Sequence, residues 1–284
     1  MEKIAVVTDT GSNLSFAQAK ELGIYLLPLQ ITIDETTYQD TLEISTQDIY
    51  NELANGKMPK TSMAAYQKIY DLFEELKKDY DTIFAVPLTN GLSTNASTMQ
   101  SIARELEMNV HVIDMYATCT LEKHVAIWIK KLVDEHKSSE EILKIIQPAI
   151  DESNSLILVK NLQHLKRGGR LTPMAATLAG LLKIYPVLHI NKSTKGRIDV
   201  LNKVRTEKRA DAYAIDKVMD DIDIQHTHIY IIHSNFLEGA NHFKKCFIEK
   251  GVPEQNIHID YISSVIAVHT GLGCIAIQYI REEN

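Results

Sequence analysis

An alternation in the first half of the chain constrains the fold most. Short apolar runs at residues 4–8, 82–87 and 110–114 each give way to a polar turn and then to a stretch with helical spacing. A brief apolar run bounded by turn residues reads as a buried strand. Strands alternating with helices build a parallel sheet covered on both faces. The helices carry their own punctuation: Ser15 with Gln18, and Ser138 with Glu141, form capping boxes, and Gly23 ends the first helix. Residues 24–33 read as one strand, with Pro28 at an edge or a bulge. Further helices are expected over 45–54, 64–78, the segment following the loop 88–94, 118–136 and 138–150.

The second half is less regular. A strand at 155–160 leads through a polar helix to the turn Arg167-Gly168-Gly169-Arg170, a helix over 173–183 and a strand over 184–190. Lys195-Gly196 reads as a hairpin turn into 197–204. A helix from Glu207, a strand at 228–233, a helix at 237–250, a strand at 257–262 and a final apolar strand complete the pattern. The fold class predicted is α/β, with a parallel-sheet domain over 1–153 and a mixed-sheet domain over 154–284. A chain of 284 residues has room for two such domains.

Lys plus Arg number 30 against 37 Asp plus Glu, a net charge of -7 that argues against a nucleic-acid partner. Cys119, Cys246 and Cys274 are sparse and unpaired in spacing, which suits a reducing compartment. The first residues show no basic segment followed by a long apolar one, and no apolar run reaches 18 residues, so a cytoplasmic location is expected.

Chemistry-bearing residues recur where strands end: Asp9, Ser93 and Asp114. Each can cap a helix there, or face a ligand in the crevice beyond the carboxyl ends of the strands. Asp9-Thr10-Gly11-Ser12 looks like half of an aspartic-protease site, yet no second such triplet exists to share its proton. GxSxG, GxxxxGK[ST] and strand-linked GxGxxG are all absent. Among eleven histidines only His226 and His228 are close, without metal-ligand spacing, so no metal site is expected. Gly168-Gly169 permits backbone angles or close approaches that a Cβ would forbid. The flanking arginines are either solvated or poised to hold an anion. His269, between an apolar stretch and a Gly-rich turn, is either a core histidine or a group that holds an acidic head group. An enzyme using Ser93 with His269, a small hydrolase or transferase, is the alternative from another class.

Six stations in order, VVTDTGSNLS, Thr61-Ser62, GLSTN, LKRGGRLTPMAATLAGLLKIYPVL, KVRTEKRA and HTGLG, resemble the DegV family. Members whose role is known are fatty-acid-binding subunits of bacterial fatty acid kinase. The resemblance implies two α/β domains enclosing a tunnel for one acyl chain, with no cofactor and no catalysis of their own. An ATP-dependent kinase subunit would be the protein partner, and transient contact with a membrane surface would accompany acyl transfer into phospholipid synthesis. Carried onto this chain, it implies ligand binding by Thr61, Ser62, Ser93, Arg170 and His269, and partner contact by Arg205. Two stations depart from the family pattern: TSQPS stands here as Thr61-Ser62-Met63-Ala64-Ala65, and SGT as Ser93-Thr94-Asn95.

Overall fold

The computed structural model describes residues 2–181 and 184–282. Along the chain lie β1 (Ile4–Asp9), a 3-10 turn (Thr10–Ser12), α1 (Phe16–Leu22), β2 (Tyr25–Leu27), β3 (Gln30–Ile33), β4 (Thr36–Gln39), α2 (Thr46–Ala54), β5 (Lys60–Ser62), α3 (Tyr66–Leu76), β6 (Thr82–Val86), α4 (Asn95–Glu105) and β7 (Asn109–Val112). Two long helices follow, α5 (Thr120–Asp134) and α6 (Ser139–Glu152). The remainder comprises β8 (Asn154–Leu158), α7 (Leu162–Arg167), α8 (Pro173–Leu178), β9 (Tyr185–Ile190), β10 (Asp199–Val204), α9 (Glu207–Asp221), β11 (Thr227–His233), α10 (Leu237–Glu249), β12 (Ile257–Tyr261), α11 (Ser264–Thr270) and β13 (Ile275–Arg281).

The alternation in the first half produces the expected parallel sheet, in the order β2-β1-β6-β7. The second half forms a mixed sheet, β10-β9-β8-β13-β11-β12, in which only β11 and β12 run parallel. Both expected capping boxes are present, Ser15 with Gln18 and Ser138 with Glu141. Helices α5 and α6 bridge the sheets. One apolar core joins Phe84 and Val86 of β6, Ile129 and Ile146 of the two helices, and Leu188 and Ala276 of the mixed sheet.

Local structure departs from these expectations, or adds to them, at four places. Residues 24–33 are two strands: β2 stays on β1, and beyond Pro28 the chain joins a separate antiparallel sheet, β4-β3-β5. The ring of Pro28 offers no N–H to continue the ladder. Residues 60–62, between the helices expected over 45–54 and 64–78, contribute β5 to that small sheet. The helix expected over 173–183 ends at Leu178, and residues 182–183 of that expectation lie outside the described ones. Residues 264–270 form a short helix, α11. Its Val265 and Val268 pack with Ile31, Ile49 and Phe73, so a C-terminal helix completes the core beside the parallel sheet. Ser264 donates to the buried Asp40, and the Tyr50 hydroxyl donates to the Ile262 carbonyl at 2.7 Å, which fastens the same junction. Among the described residues no helix is long and apolar enough to cross a membrane.

Candidate functional site

Between the two sheets, past the carboxyl end of β6, a cavity of ≈ 450 Å³ is walled by β5, the loop 88–94, the turn at Gly169-Arg170, the hairpin end at Arg197-Ile198 and α11. Thr61, Ser62, Ser93, Arg170 and His269, far apart in sequence, all line it. Arg205 does not: it is exposed in the bend between β10 and α9.

His269 sits in the last turn of α11, with its Nε2 2.7 Å from Thr61 Oγ1. Its other side is hydrogen-bonded to the Gly168 backbone. Burial, reinforced by the nearby charges of Arg170 and His164, pushes its pKa down to about 3. A neutral imidazole that donates to the Gly168 carbonyl accepts from the Thr61 hydroxyl, so His269 orients Thr61. The adjacent glycines divide two tasks. A Cβ on Gly168 would lie 2.9 Å from His269 Nδ1 and 3.1 Å from the Leu165 carbonyl, so this residue serves close approach. Gly169 has open space around it and a φ of 73°, so it serves the turn. His164 of α7 donates to the Val268 carbonyl at 2.8 Å, docking the turn's helix onto α11.

Arg170 Nη1 donates to the Gly168 carbonyl at 2.6 Å. Burial lowers its pKa, though a guanidinium stays charged at neutral pH. Thr61 and Ser62 are neighbours on β5, and successive strand residues face opposite ways. Thr61 meets His269, while the Ser62 hydroxyl donates to Gln30 Oε1 at 3.0 Å, which leaves Ser62 at the rim. Ser93 Oγ accepts from the Asn95 N–H at 3.2 Å, as a helix-start serine does. Its own proton remains available to the cavity. The capping and ligand readings of Ser93 are therefore compatible. Asp114 is not a lining residue; it accepts from the Asn90 and Tyr116 N–H groups and holds the loop from behind.

Arg197 is a lining residue that sequence reasoning missed. The hairpin turn that delivers it was legible, but the approach of that turn to the loop 88–94 was not. A Cβ on Gly91 would lie 2.1 Å from the Gly196 backbone, so the two loops touch main chain to main chain. Among the described residues the lining thus carries two guanidiniums and a neutral imidazole, and no Asp or Glu. Such a surface favours an anion.

Leu92, Ile198, Ile266 and Thr270 also line a narrow inner chamber of ≈ 30 Å³, whose walls include Ile157, Ile190, Ile232 and Ile262. At its far side the Gln278 amide donates to the Thr118 carbonyl at 2.8 Å and to Ser155 Oγ at 3.1 Å. A polar mouth therefore opens toward an apolar interior. Among the described residues no group of three or more His, Cys, Asp or Glu is placed to hold a metal ion.

The profile of the family described as "Uncharacterised protein, DegV family" matches residues 3–282. The chain belongs to the DegV family. A DegV domain-containing protein of Halalkalibacterium halodurans is 31% identical over 289 residues, covering 100% of both chains. Among solved structures, a fatty acid binding DegV family protein from Streptococcus agalactiae superposes with a TM-score of 0.91 at 29% identity, covering 100% of both chains. DegV of Bacillus subtilis, described as a fatty acid binding protein, gives a TM-score of 0.86 at 26% identity, covering 99% of this chain and 100% of that one. In this DegV chain the two departing stations meet. Thr94 and Thr98 donate to Met63 Sδ at 3.5 and 3.4 Å, and the Asn95 amide donates to Asp9 at 2.6 Å.

Proposed function

We propose that this protein binds a long-chain fatty acid, with its carboxylate in the cavity between the sheets and its acyl chain in the apolar interior. It would present that carboxylate to an ATP-dependent fatty acid kinase subunit and carry the acyl phosphate onward. The observation that carries the reading is the cavity lining: among the described residues, two arginines without a single carboxylate, joined through Leu92, Ile198 and Ile266 to an apolar chamber. A buried carboxylate without partners costs several kcal/mol, which guanidiniums and hydroxyls offset. Each buried methylene contributes ~0.8 kcal/mol, so about fifteen would supply roughly 12 kcal/mol before ordering costs, which include widening the ≈ 30 Å³ chamber to take the chain. Relatives described as fatty acid binding support the same ligand class. Phosphoryl transfer needs Mg²⁺ and a nucleotide cradle, which the sequence gives no sign of, so the partner would supply both. Arg205, exposed and outside the cavity, is the candidate partner contact. We place the domain boundary near Ser153 and the protein in the cytoplasm, with transient membrane-surface contact during acyl exchange.

The hydrolase alternative fares less well. His269 Nε2 pairs with Thr61 instead of Ser93, and a histidine held near 3 is a poor general base at neutral pH. Mass spectrometry of an organic extract of the purified protein is the test. A stoichiometric fatty acid is expected. A protein that emerges empty and binds no added fatty acid would sink the proposal.

A further inference from the structure

Beneath the cavity lies a pair of fully buried acids that the binding reading does not use. Asp9, at the end of β1, accepts from Gly11 N–H at 2.8 Å on one oxygen. Its other oxygen accepts from Leu88 N–H at 2.9 Å and from the Asn95 amide at 2.6 Å. Leu88 and Asn95 bracket the loop that carries Leu92 and Ser93, and Asn95 N–H in turn holds Ser93. Glu122, from the first turn of α5, reaches into hydrogen-bonding range of Asp9 and has no exposure. Neither acid has a lysine, arginine or histidine partner among the described residues.

We propose that Asp9 and Glu122 share one buried proton and together act as positioning residues for the loop 88–94, holding Ser93 and Leu92 where a fatty acid head group meets them. This rests on the head-group reading above. Several observations support it. With both acids ionised, Glu122 Oε2 has no hydrogen-bond partner, and two negative charges would face each other away from water. A proton on Glu122 gives that oxygen a bond to Asp9, which already receives three N–H donors and is the better seat for the charge. The Thr8 hydroxyl cannot substitute, because its single proton is directed to the Val86 carbonyl at 2.7 Å, with Glu122 Oε1 at 3.2 Å. Gly11 makes the room: a Cβ there would lie 2.7 Å from Asp9 Oδ1 and 3.2 Å from Glu122 Oε2. The groups facing the pair are Thr8, Asn95, the Cys119 thiol and, beyond Asp9, the Asp40 carboxyl. Burial pushes Glu122 well above the usual carboxylate range, and the charge of Asp9 adds to the shift. Ionisation at alkaline pH would then force the two acids apart and loosen the loop.

The experiment is fatty acid affinity across about pH 7 to 9.5, where the ligand is ionised, His269 is neutral and both cavity arginines are charged. Wild type should weaken toward the alkaline end as Glu122 loses its proton. Glu122→Leu, which removes the donor, should bind about tenfold more weakly at pH 7, and Glu122→Gln, which keeps a donor and cannot ionise, should recover most of that loss with a flat profile. Asp40→Asn should leave the alkaline slope in place. An alkaline slope that Glu122→Gln retains, or a Glu122→Gln that binds no better than Glu122→Leu at pH 7, would overturn the inference while leaving the binding reading intact. Absence of binding by wild type at every pH would overturn both. Infrared spectroscopy of wild type covers the case of variants that do not fold. A carbonyl band from a protonated, water-shielded carboxyl should persist at about pH 7.5, and its absence counts against the shared proton.

Discussion

Gly168 and Gly169 show how much a single residue can decide here. Gly168→Ala would drive a methyl group into His269 and the Leu165 carbonyl, displacing the imidazole from Thr61. The expected cost is about 1–3 kcal/mol of stability, together with weaker fatty acid binding. Gly169→Ala meets no neighbour and pays only for its left-handed backbone, roughly 1 kcal/mol, with affinity nearly unchanged. Thermal unfolding and a ligand titration on the two variants would separate these effects, and equal losses of affinity would contradict the assignment. At this scale the sequence told a good deal. The double glycine and His269 stood out because their residue types are costly to misplace. Ser62 was harder to place, since only the strand pairing of β5 with β3 turns its hydroxyl to Gln30 while Thr61 faces His269.

Among the elements, helices with capping boxes were legible and α11 was not. Its residues, Ser-Val-Ile-Ala-Val-His-Thr, are largely apolar and β-branched, so a short buried helix looks like a strand. The sheet β4-β3-β5 was equally hidden, because its strands are three or four residues long and its register depends on pairing across distant sequence. Asp40 ties these two unforeseen elements together through Ser264. Burial raises its pKa from the ordinary 3.8 to about 6, against the opposing hydrogen bonds of Ser264 and Thr10 and with a further push from the charge of Asp9. A carboxyl that is more basic folded than unfolded binds its proton more tightly in the folded state. Its contribution is therefore fully present below about pH 4 and is lost as pH rises through about 6, to a total on the order of 3 kcal/mol. Asp40→Asn should therefore raise the denaturation midpoint at about pH 7.5 and change it little at about pH 4. A uniform shift at both pH values would mean that Asp40 does not titrate in this window.

For the whole molecule, the parallel and mixed sheets were both readable because periodicity reports the local burial of each strand. Their mutual arrangement was not, since no local pattern records that Gly91 will rest on Gly196 or that Arg197 and Arg170 will line one cavity. A fragment of residues 1–153 would contain the entire parallel sheet and lack Val265 and Val268. It should unfold well below the full chain in a denaturant titration and bind an apolar dye, and native-like stability would refute this. The same helix sets an order of events during synthesis. The first half leaves the ribosome with a gap in its core, and at roughly 5–20 residues per second the helix that closes it arrives several seconds later. Through that interval Ile31, Ile49 and Phe73 lack the valines that pack against them in the finished protein. The nascent chain therefore has a window in which a chaperone that shields apolar surface would raise its yield.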